Sequence, residues 1–195
     1  MEAPVMAGEL VASGFSRTSE DDHYVEAEMN ASISQCQYLI SLTEPIFAGL
    51  DDSHRALEPQ PGTKTAGWLI GHLAVSGDFA RTLLERPALC PIEWRELFNP
   101  GSRPSDDPSD YPSMTALVDT FGSVYTDLLG AARETDPSLL DAANPFGPAQ
   151  PHFPTTGDFV AYLISSHLAY HLGQLVAWRA AAGLGRLRRP NRLAA

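Results

Sequence analysis

The sequence has few cysteines and few basic side chains, and each shortage excludes a class of protein. Its two cysteines, Cys36 and Cys90, are isolated and form no CxxC pair. That spacing argues against a disulfide framework and against a thiolate zinc site, and it favours reduced thiols. The 13 basic residues are outnumbered by 24 acidic ones, which gives a formal net charge of −11. Nucleic acid and anionic membrane surfaces are bound through lysine and arginine, so neither is an expected partner.

Long apolar runs are also missing. No stretch has the roughly 20 apolar residues that span a bilayer. Residues 1–22 lack the basic start and the continuous apolar core of a signal peptide, so we predict a cytoplasmic protein. The length of 195 residues suits one domain. We predict that this domain comprises residues 23–195 and follows an N-terminal tail, residues 1–22.

Sustained period-two alternation, which is typical of strands, is absent, whereas helical periodicity occurs in four segments. The expected helices cover about residues 23–49, 65–86, 112–133 and 157–182. Apolar residues recur in each at steps of three and four, which gives each helix an apolar face. Pro45 is expected to kink the first helix or to end it early. The pattern predicts an all-α fold, a four-helix bundle.

Two proline-rich connections, residues 87–111 and 134–156, are unusually long for a bundle. A helix of about 22 residues is ~33 Å long. The 25 residues from 87 to 111 can return over that length. The third helix can then run parallel to the second, which predicts a long crossover between helices two and three.

Three histidines lie on the apolar stripes of two of these helices. His167 and His171 are four residues apart on the fourth helix, and His72 is on the second. Residues i and i+4 share one helix face with Cβ atoms ~5–6 Å apart, so two imidazoles can converge on one ion. All three lie near the middle of their helices and can meet at one level. We therefore predict a divalent metal ion bound by His72, His167 and His171.

Three structural core histidines, each hydrogen-bonded to a neighbour, are the alternative interpretation. Burying three polar rings without partners costs ~1–3 kcal/mol each, and one metal ion would satisfy all three. Imidazole ligands suit zinc, nickel, copper or iron. Among these we favour zinc or nickel, with iron possible. Three ligands leave a fourth position open, as in catalytic zinc sites.

Several other side chains are candidates for the same site. Gln174 follows His171 by three residues and could bond a ligand or a neighbouring helix. Tyr125 and Tyr170 could donate to a substrate, although a core tyrosine with a satisfied hydroxyl is the commoner case. His152 precedes the fourth helix and could reach the mouth of a pocket.

Two further residues have structural interpretations. Asp78 is six residues after His72, so we interpret it as a solvated or helix-contact carboxylate that points away from that ring. Cys36 lies on the apolar stripe of the first helix, where an inert small hydrophobe is commoner than a nucleophile.

The run from His167 to Gly183, with its HxxxHxGQ element, resembles the last helix of the DinB/YfiT-like family of metalloenzymes. Residues 67–73, Gly-Trp-Leu-Ile-Gly-His-Leu, resemble the second-helix motif of that family. Residues 94–113 and 153–155 resemble its connecting segments. The resemblance covers about residues 24–185.

This resemblance implies a four-helix bundle, often dimeric, with a three-histidine metal site on His72, His167 and His171. Some relatives use a low-molecular-weight thiol, such as bacillithiol, mycothiol or glutathione, in transfer or isomerisation reactions. We therefore expect a metal-dependent enzyme with a small-molecule substrate, a thiol S-transferase or a hydrolase, and the resemblance implies a homodimer. The alternative is a non-catalytic metal-binding or stress-response protein, because no carboxylate base is evident beside the histidines.

Overall fold

The computed structural model describes residues 19–185 and residue 187, and the regular structure in these residues is helical. The helices are α1 (Ser19–Ser41), α2 (Thr43–Phe47), α3 (Ala66–Leu83), α4 (Trp94–Phe98), α5 (Met114–Glu134), α6 (Pro137–Asp141), α7 (Thr156–Tyr162) and α8 (Leu168–Ala181). A π-helical turn, Leu163–His167, joins α7 to α8. Short 3₁₀ turns lie at Asp52–His54, Pro108–Asp110 and Gly147–Ala149. The all-α prediction is confirmed, and no helix in the described chain is long and apolar enough to cross a membrane.

The four predicted helical segments are all helical, but short helices also occupy the connections. A simple count of four helices therefore does not describe the fold. The predicted N-terminal tail lies outside the described residues except for residues 19–22, which begin α1. The boundary at residue 23 stays a prediction, as does the inclusion of the last residues in the domain.

Pro45 breaks the first helix as predicted. The helix ends at Ser41, four residues before the proline, and the chain resumes as α2 at Thr43. A proline ring clashes with the carbonyl group four residues earlier and lacks the N–H that would bond to it. The local chemistry of Pro45 therefore explains where α1 stops.

Helix α3 lies at the centre of the fold. Buried positions occur around its whole circumference, and only Phe79 and Thr82 among its residues are not fully buried. Glycines permit this close packing: a Cβ atom added at Gly77 would be 2.9 Å from Val124 Cγ1 of α5. A helix that is buried on every side explains the high apolar content of this segment.

Helices α3 and α5 run parallel. Gly77 packs against Val124, and beyond the end of α3 the Arg86 guanidinium pairs with Glu134 at 2.6 Å. Because the contact positions move toward the C-terminus of both helices together, the two helices run in the same direction. The predicted crossover between the second and third long helices is therefore confirmed, and the crossover contains α4.

Asp78 was predicted to be a solvated or a helix-contact carboxylate, and the solvated alternative is wrong. This residue is only 3% exposed, and its carboxylate forms an ion pair with Arg81 at 2.6 Å. It also accepts the backbone N–H groups of Leu89 and Cys90, at 2.8 and 3.0 Å. The start of the crossover turns back over α3 at this point. Helical periodicity could not reveal this contact, because it joins α3 to a connection without regular structure.

Cys36 agrees with its predicted structural role. Its side chain is fully buried in the core, and burial raises the pKa of the thiol to about 12. A thiol with such a pKa is protonated at neutral pH and a poor nucleophile.

The close approach of α3 and α5 predicts opposite effects of two glycine-to-alanine substitutions. Gly77→Ala should destabilise the protein by about 1–3 kcal/mol, because the new methyl group overpacks against Val124 and Tyr125. Gly122→Ala, in the exposed part of α5 with nothing within 4 Å of the new Cβ, should stabilise it by about 0.5–1 kcal/mol. Denaturant unfolding of both variants measures the difference. Equal stability of the two variants would contradict the packing described here.

Candidate metal centre

His72 is oriented by the crossover. It follows Gly71, where a Cβ atom would be 2.6 Å from the Phe98 ring, so only glycine lets α4 lie this close. His72 Nδ1 donates to the Phe98 carbonyl oxygen at 2.7 Å, and the ring stacks on Trp68 with centroids 4.6 Å apart. A carbonyl oxygen only accepts, so Nδ1 carries the proton and Nε2 keeps a free lone pair.

His171 is oriented from within its own helix. Its Nδ1 donates to Gln174 Oε1 at 2.7 Å, one turn further along α8. Gln174 was expected to bond a ligand or a neighbouring helix, and in the structure it holds the adjacent histidine instead. Its role resembles that of the carbonyl of Phe98 beside His72. The Nε2 lone pair of His171 is free for the same reason.

His167 is the last residue of the π-helical turn. Such a turn is an insertion in an α-helix and is frequent at functional sites. His167 Nε2 lies 3.2 Å from His72 Nε2, and its Nδ1 is buried with no hydrogen-bond partner among the described residues. One nitrogen of the His167 ring therefore faces His72, and the other has no hydrogen-bond partner within the described part of the chain.

The structure brings the three predicted ligands together. One ring nitrogen from each of His72, His167 and His171 lies within 4.8 Å of the others. The centroid of the His171 ring is 4.6 Å from the centroid of the His72 ring and 4.6 Å from that of the His167 ring. In structural core histidines both ring nitrogens would have partners, whereas Nδ1 of His167 has none among the described residues. Three converging imidazole nitrogens instead form a donor set that could hold a divalent cation such as zinc or nickel.

Burial keeps these imidazoles uncharged. It lowers the pKa of His72 to about 4 and that of His167 to about 3. The pKa of His171 is lowered for the same reason, and the nearby Lys64 ammonium adds to the effect on His72 and His171. Only a neutral imidazole offers a lone pair to a metal ion, so all three rings are competent ligands at neutral pH.

The three histidines lie in the wall of a cavity of about 750 Å³. Aromatic side chains form much of the remaining wall, and Lys64 and Arg95 contribute basic groups. Of the described residues, Asp78 is the acidic one in the lining. No fourth His, Cys, Asp or Glu completes the histidine group in the part of the chain that the structure describes.

The other sequence candidates lie apart from this cavity. Tyr125 is a buried core residue whose hydroxyl donates to the Leu73 carbonyl at 3.4 Å. Tyr170 is 64% exposed and meets His171 edge-on, but it does not line the cavity. His152 is exposed beside Phe153 and does not reach the mouth.

Sequence reasoning missed Lys64 and the backbone of Phe98. Lys64 precedes Thr65, the N-cap of α3, so it lies outside the helical periodicity that pointed to Trp68 and His72. The backbone carbonyl of Phe98 gave no signal at all, because any residue type carries the same group.

Comparison with known proteins identifies one family. The sequence model described as the DinB superfamily matches residues 36–175, a span that contains all three histidines. Among curated proteins and solved structures, none matches the chain.

The geometry of the centre predicts its metal content. Protein purified without a histidine tag should contain about one equivalent of divalent metal per chain. The His167→Ala/His171→Ala variant should contain almost none, because one imidazole cannot hold the ion. Inductively coupled plasma mass spectrometry measures both. His152→Ala, which removes an exposed histidine, is the control and should keep the metal. Wild-type protein that stays metal-free after reconstitution would contradict the prediction.

The hydrogen bond from His171 to Gln174 predicts a second effect. Gln174→Leu should weaken metal binding by about 10–100-fold, since the acceptor that fixes the imidazole is lost. Competition with a chromophoric chelator measures the dissociation constant, and thermal unfolding of the metal-free protein should change little. Gln35→Leu, on the exposed side of α1, is the matched control. An unchanged affinity in Gln174→Leu would show that this hydrogen bond does not organise the site.

Proposed function

This chain belongs to the DinB superfamily, and on that premise we propose that it is a metal-dependent enzyme with a low-molecular-weight thiol as one substrate. His72, His167 and His171 would hold the ion, with zinc or nickel favoured and iron possible. One observation carries the proposal: the three converging nitrogens open onto a cavity of about 750 Å³, and the described residues supply no fourth ligand of the His, Cys, Asp or Glu type. An open position next to a ligand-sized cavity is typical of catalytic sites, whereas structural sites are closed.

A divalent cation at this position would supply Lewis acidity, which lowers the pKa of a thiol or water next to it. The protein's own groups supply orientation. The Phe98 carbonyl and the Gln174 amide fix two imidazoles so that their Nε2 atoms point together. The aromatic wall of the cavity displaces water around the reacting groups, which strengthens electrostatic interactions there.

The carboxylate in the cavity, that of Asp78, already has protein partners, and this favours thiol transfer over hydrolysis. A hydrolase needs a base to accept the proton of the attacking water. Asp78 is already occupied by Arg81 and by two backbone N–H groups, so it is poorly suited to that role. A thiol that has already released its proton to solvent needs no such base. Its sulfur can form a bond to an electrophilic carbon while the leaving group departs with its electron pair.

The protein's own thiol in this cavity does not replace the thiol substrate. Cys90 lines the cavity, but burial and the Asp78 carboxylate raise its pKa to about 12. It therefore remains protonated at neutral pH and is a weak nucleophile. The reacting sulfur is proposed to enter as part of a small molecule.

The second candidate is a non-catalytic metal-binding or stress-response protein. The same three histidines would serve it, and the absence of a free carboxylate base favours it. A homodimer, as the family resemblance implies, and a cytoplasmic location also remain proposals. Light scattering on the purified protein tests whether it forms a homodimer.

Thiol binding to the cobalt-substituted protein tests the proposed function. Cobalt(II) accepts imidazole ligands as zinc does. Adding 2-mercaptoethanol should produce a sulfur-to-cobalt charge-transfer absorption, and adding ethylene glycol, its oxygen analogue, should not. The His167→Ala/His171→Ala variant should not show the charge-transfer absorption with either compound. Cobalt bound without any spectral response to thiols would favour the non-catalytic alternative.

A further inference from the structure

We propose that the cavity beside the histidines binds a small organic anion with an aromatic or bulky apolar body. Lys64 and Arg95 would bind its anionic group, and the aromatic side chains opposite would pack against its body. The inference rests on the proposed function only in naming this anion as the second substrate, the one that accepts the thiol. The binding site itself does not depend on that function.

Lys64 lies in a stack that leads to the metal centre. Its Nζ is 3.7 Å from the centroid of the Trp68 ring and donates to the Ser102 carbonyl at 3.0 Å. Trp68 in turn stacks on His72 with an interplanar angle of 9°. These contacts hold the ammonium group in one place at the cavity wall, as a site for a specific anion requires.

Neither cation of the cavity, Lys64 or Arg95, has a carboxylate counter-ion within the part of the chain that the structure describes. The lining has one acidic side chain among the described residues, Asp78, which pairs with Arg81 at 2.6 Å; Arg81 also pairs with Asp127 of α5. The cavity is therefore positive although the chain carries a net charge of −11. Such a local reversal of sign concentrates anions where the rest of the surface repels them.

The cost of burial supports the same conclusion. Lys64 is half-buried, and burial lowers the pKa of its ammonium group because the charged form loses water. An anionic ligand would restore a favourable partner to that charge. Most lysines avoid this cost by extending into solvent. Lys64 is instead held at the cavity wall by Ser102 and Trp68, with no carboxylate partner among the described residues, so its charge is available to an anionic ligand.

A second part of the cavity wall is aromatic. Phe146 and Phe159 stack with centroids 5.7 Å apart, and Phe79 meets Phe146 edge-on at 5.4 Å. Tyr162 continues this series and contacts the ring of His167 at 5.7 Å. Phe146 is 41% exposed, which leaves an apolar surface open at the cavity. Aromatic side chains of this kind bind flat or bulky apolar groups.

The cationic and aromatic parts adjoin different histidines. Trp68, under the Lys64 ammonium, contacts His72, whereas Tyr162 contacts His167. A ligand with its anionic group at Lys64 and its body against Phe159 would therefore pass in front of the three imidazoles. The atoms between its two ends would lie closest to the metal centre.

Three probes separate the two halves of this site. 3-Phenylpropionate carries both the anion and the ring, 3-phenylpropanamide lacks the charge, and propionate lacks the ring. Binding is measured by ligand-observed NMR titration to wild-type protein, with and without metal. We expect 3-phenylpropionate to bind more tightly than either of the other two, in both forms of the protein.

Substitutions then assign each half. Lys64→Gln should weaken 3-phenylpropionate binding by about 10-fold or more and leave the amide unchanged, because a charged hydrogen bond is lost. Lys64→Arg keeps the charge and should retain most of the affinity. Phe146→Ala should weaken 3-phenylpropionate but not propionate. Arg133→Gln, an equal charge change on the exposed side of α5, is the control and should have no effect.

The outcomes keep this inference separate from the proposed function. Binding that survives Lys64→Gln but disappears when the metal is removed would overturn the inference, because the carboxylate would then bind only the ion. Equal binding of the acid and the amide would overturn it as well. A protein that takes up no metal but binds 3-phenylpropionate through Lys64 would uphold the anion site and refute the metal-dependent function. Thermal unfolding of each variant shows that a lost affinity does not reflect a lost fold.

Discussion

The hydrogen bond from His72 Nδ1 to the Phe98 carbonyl joins the metal centre to the long crossover. It fixes the imidazole of the central helix, and it also requires α4 to lie against α3. Gly71 permits that approach, since any side chain there would collide with the Phe98 ring. The helices α3 and α5, which the crossover joins, run parallel, so the chain must return along α3 between them. Helix α4 lies in this returning segment and forms part of the cavity wall.

The central helix carries polar groups that are buried but matched. His72 bonds to Phe98, and Asp78 pairs with Arg81 while it also accepts backbone N–H groups of the crossover. A buried charge without a partner is strongly destabilising, so these pairs explain how α3 tolerates polar residues. Outside this helix, two buried nitrogens have no partner in the described part of the chain, Arg179 Nε and His167 Nδ1 of the metal centre. Buried groups left unsatisfied in this way are concentrated at functional sites.

Electrostatics distinguish the cavity from the rest of the molecule. The chain has a net charge of −11, yet Lys64 and Arg95 line the cavity without carboxylate partners in the described residues. The imidazoles beside them are held neutral by burial and by the Lys64 charge. Neutral nitrogen ligands next to fixed cations suit a site in which a metal ion and an organic anion are bound side by side.

The sequence by itself determined the helices and the three histidines. The break before Pro45, the faces of the long helices and the HxxxH spacing depend on interactions within a few residues of chain, so they can be read from the sequence. Only the tertiary structure decided how the histidines are held and what surrounds them. The Phe98 carbonyl beside His72, the π-helical turn that ends at His167 and the burial of Asp78 leave no pattern in the sequence. Each depends on segments far apart in the chain, or on a backbone geometry that any side chain can adopt.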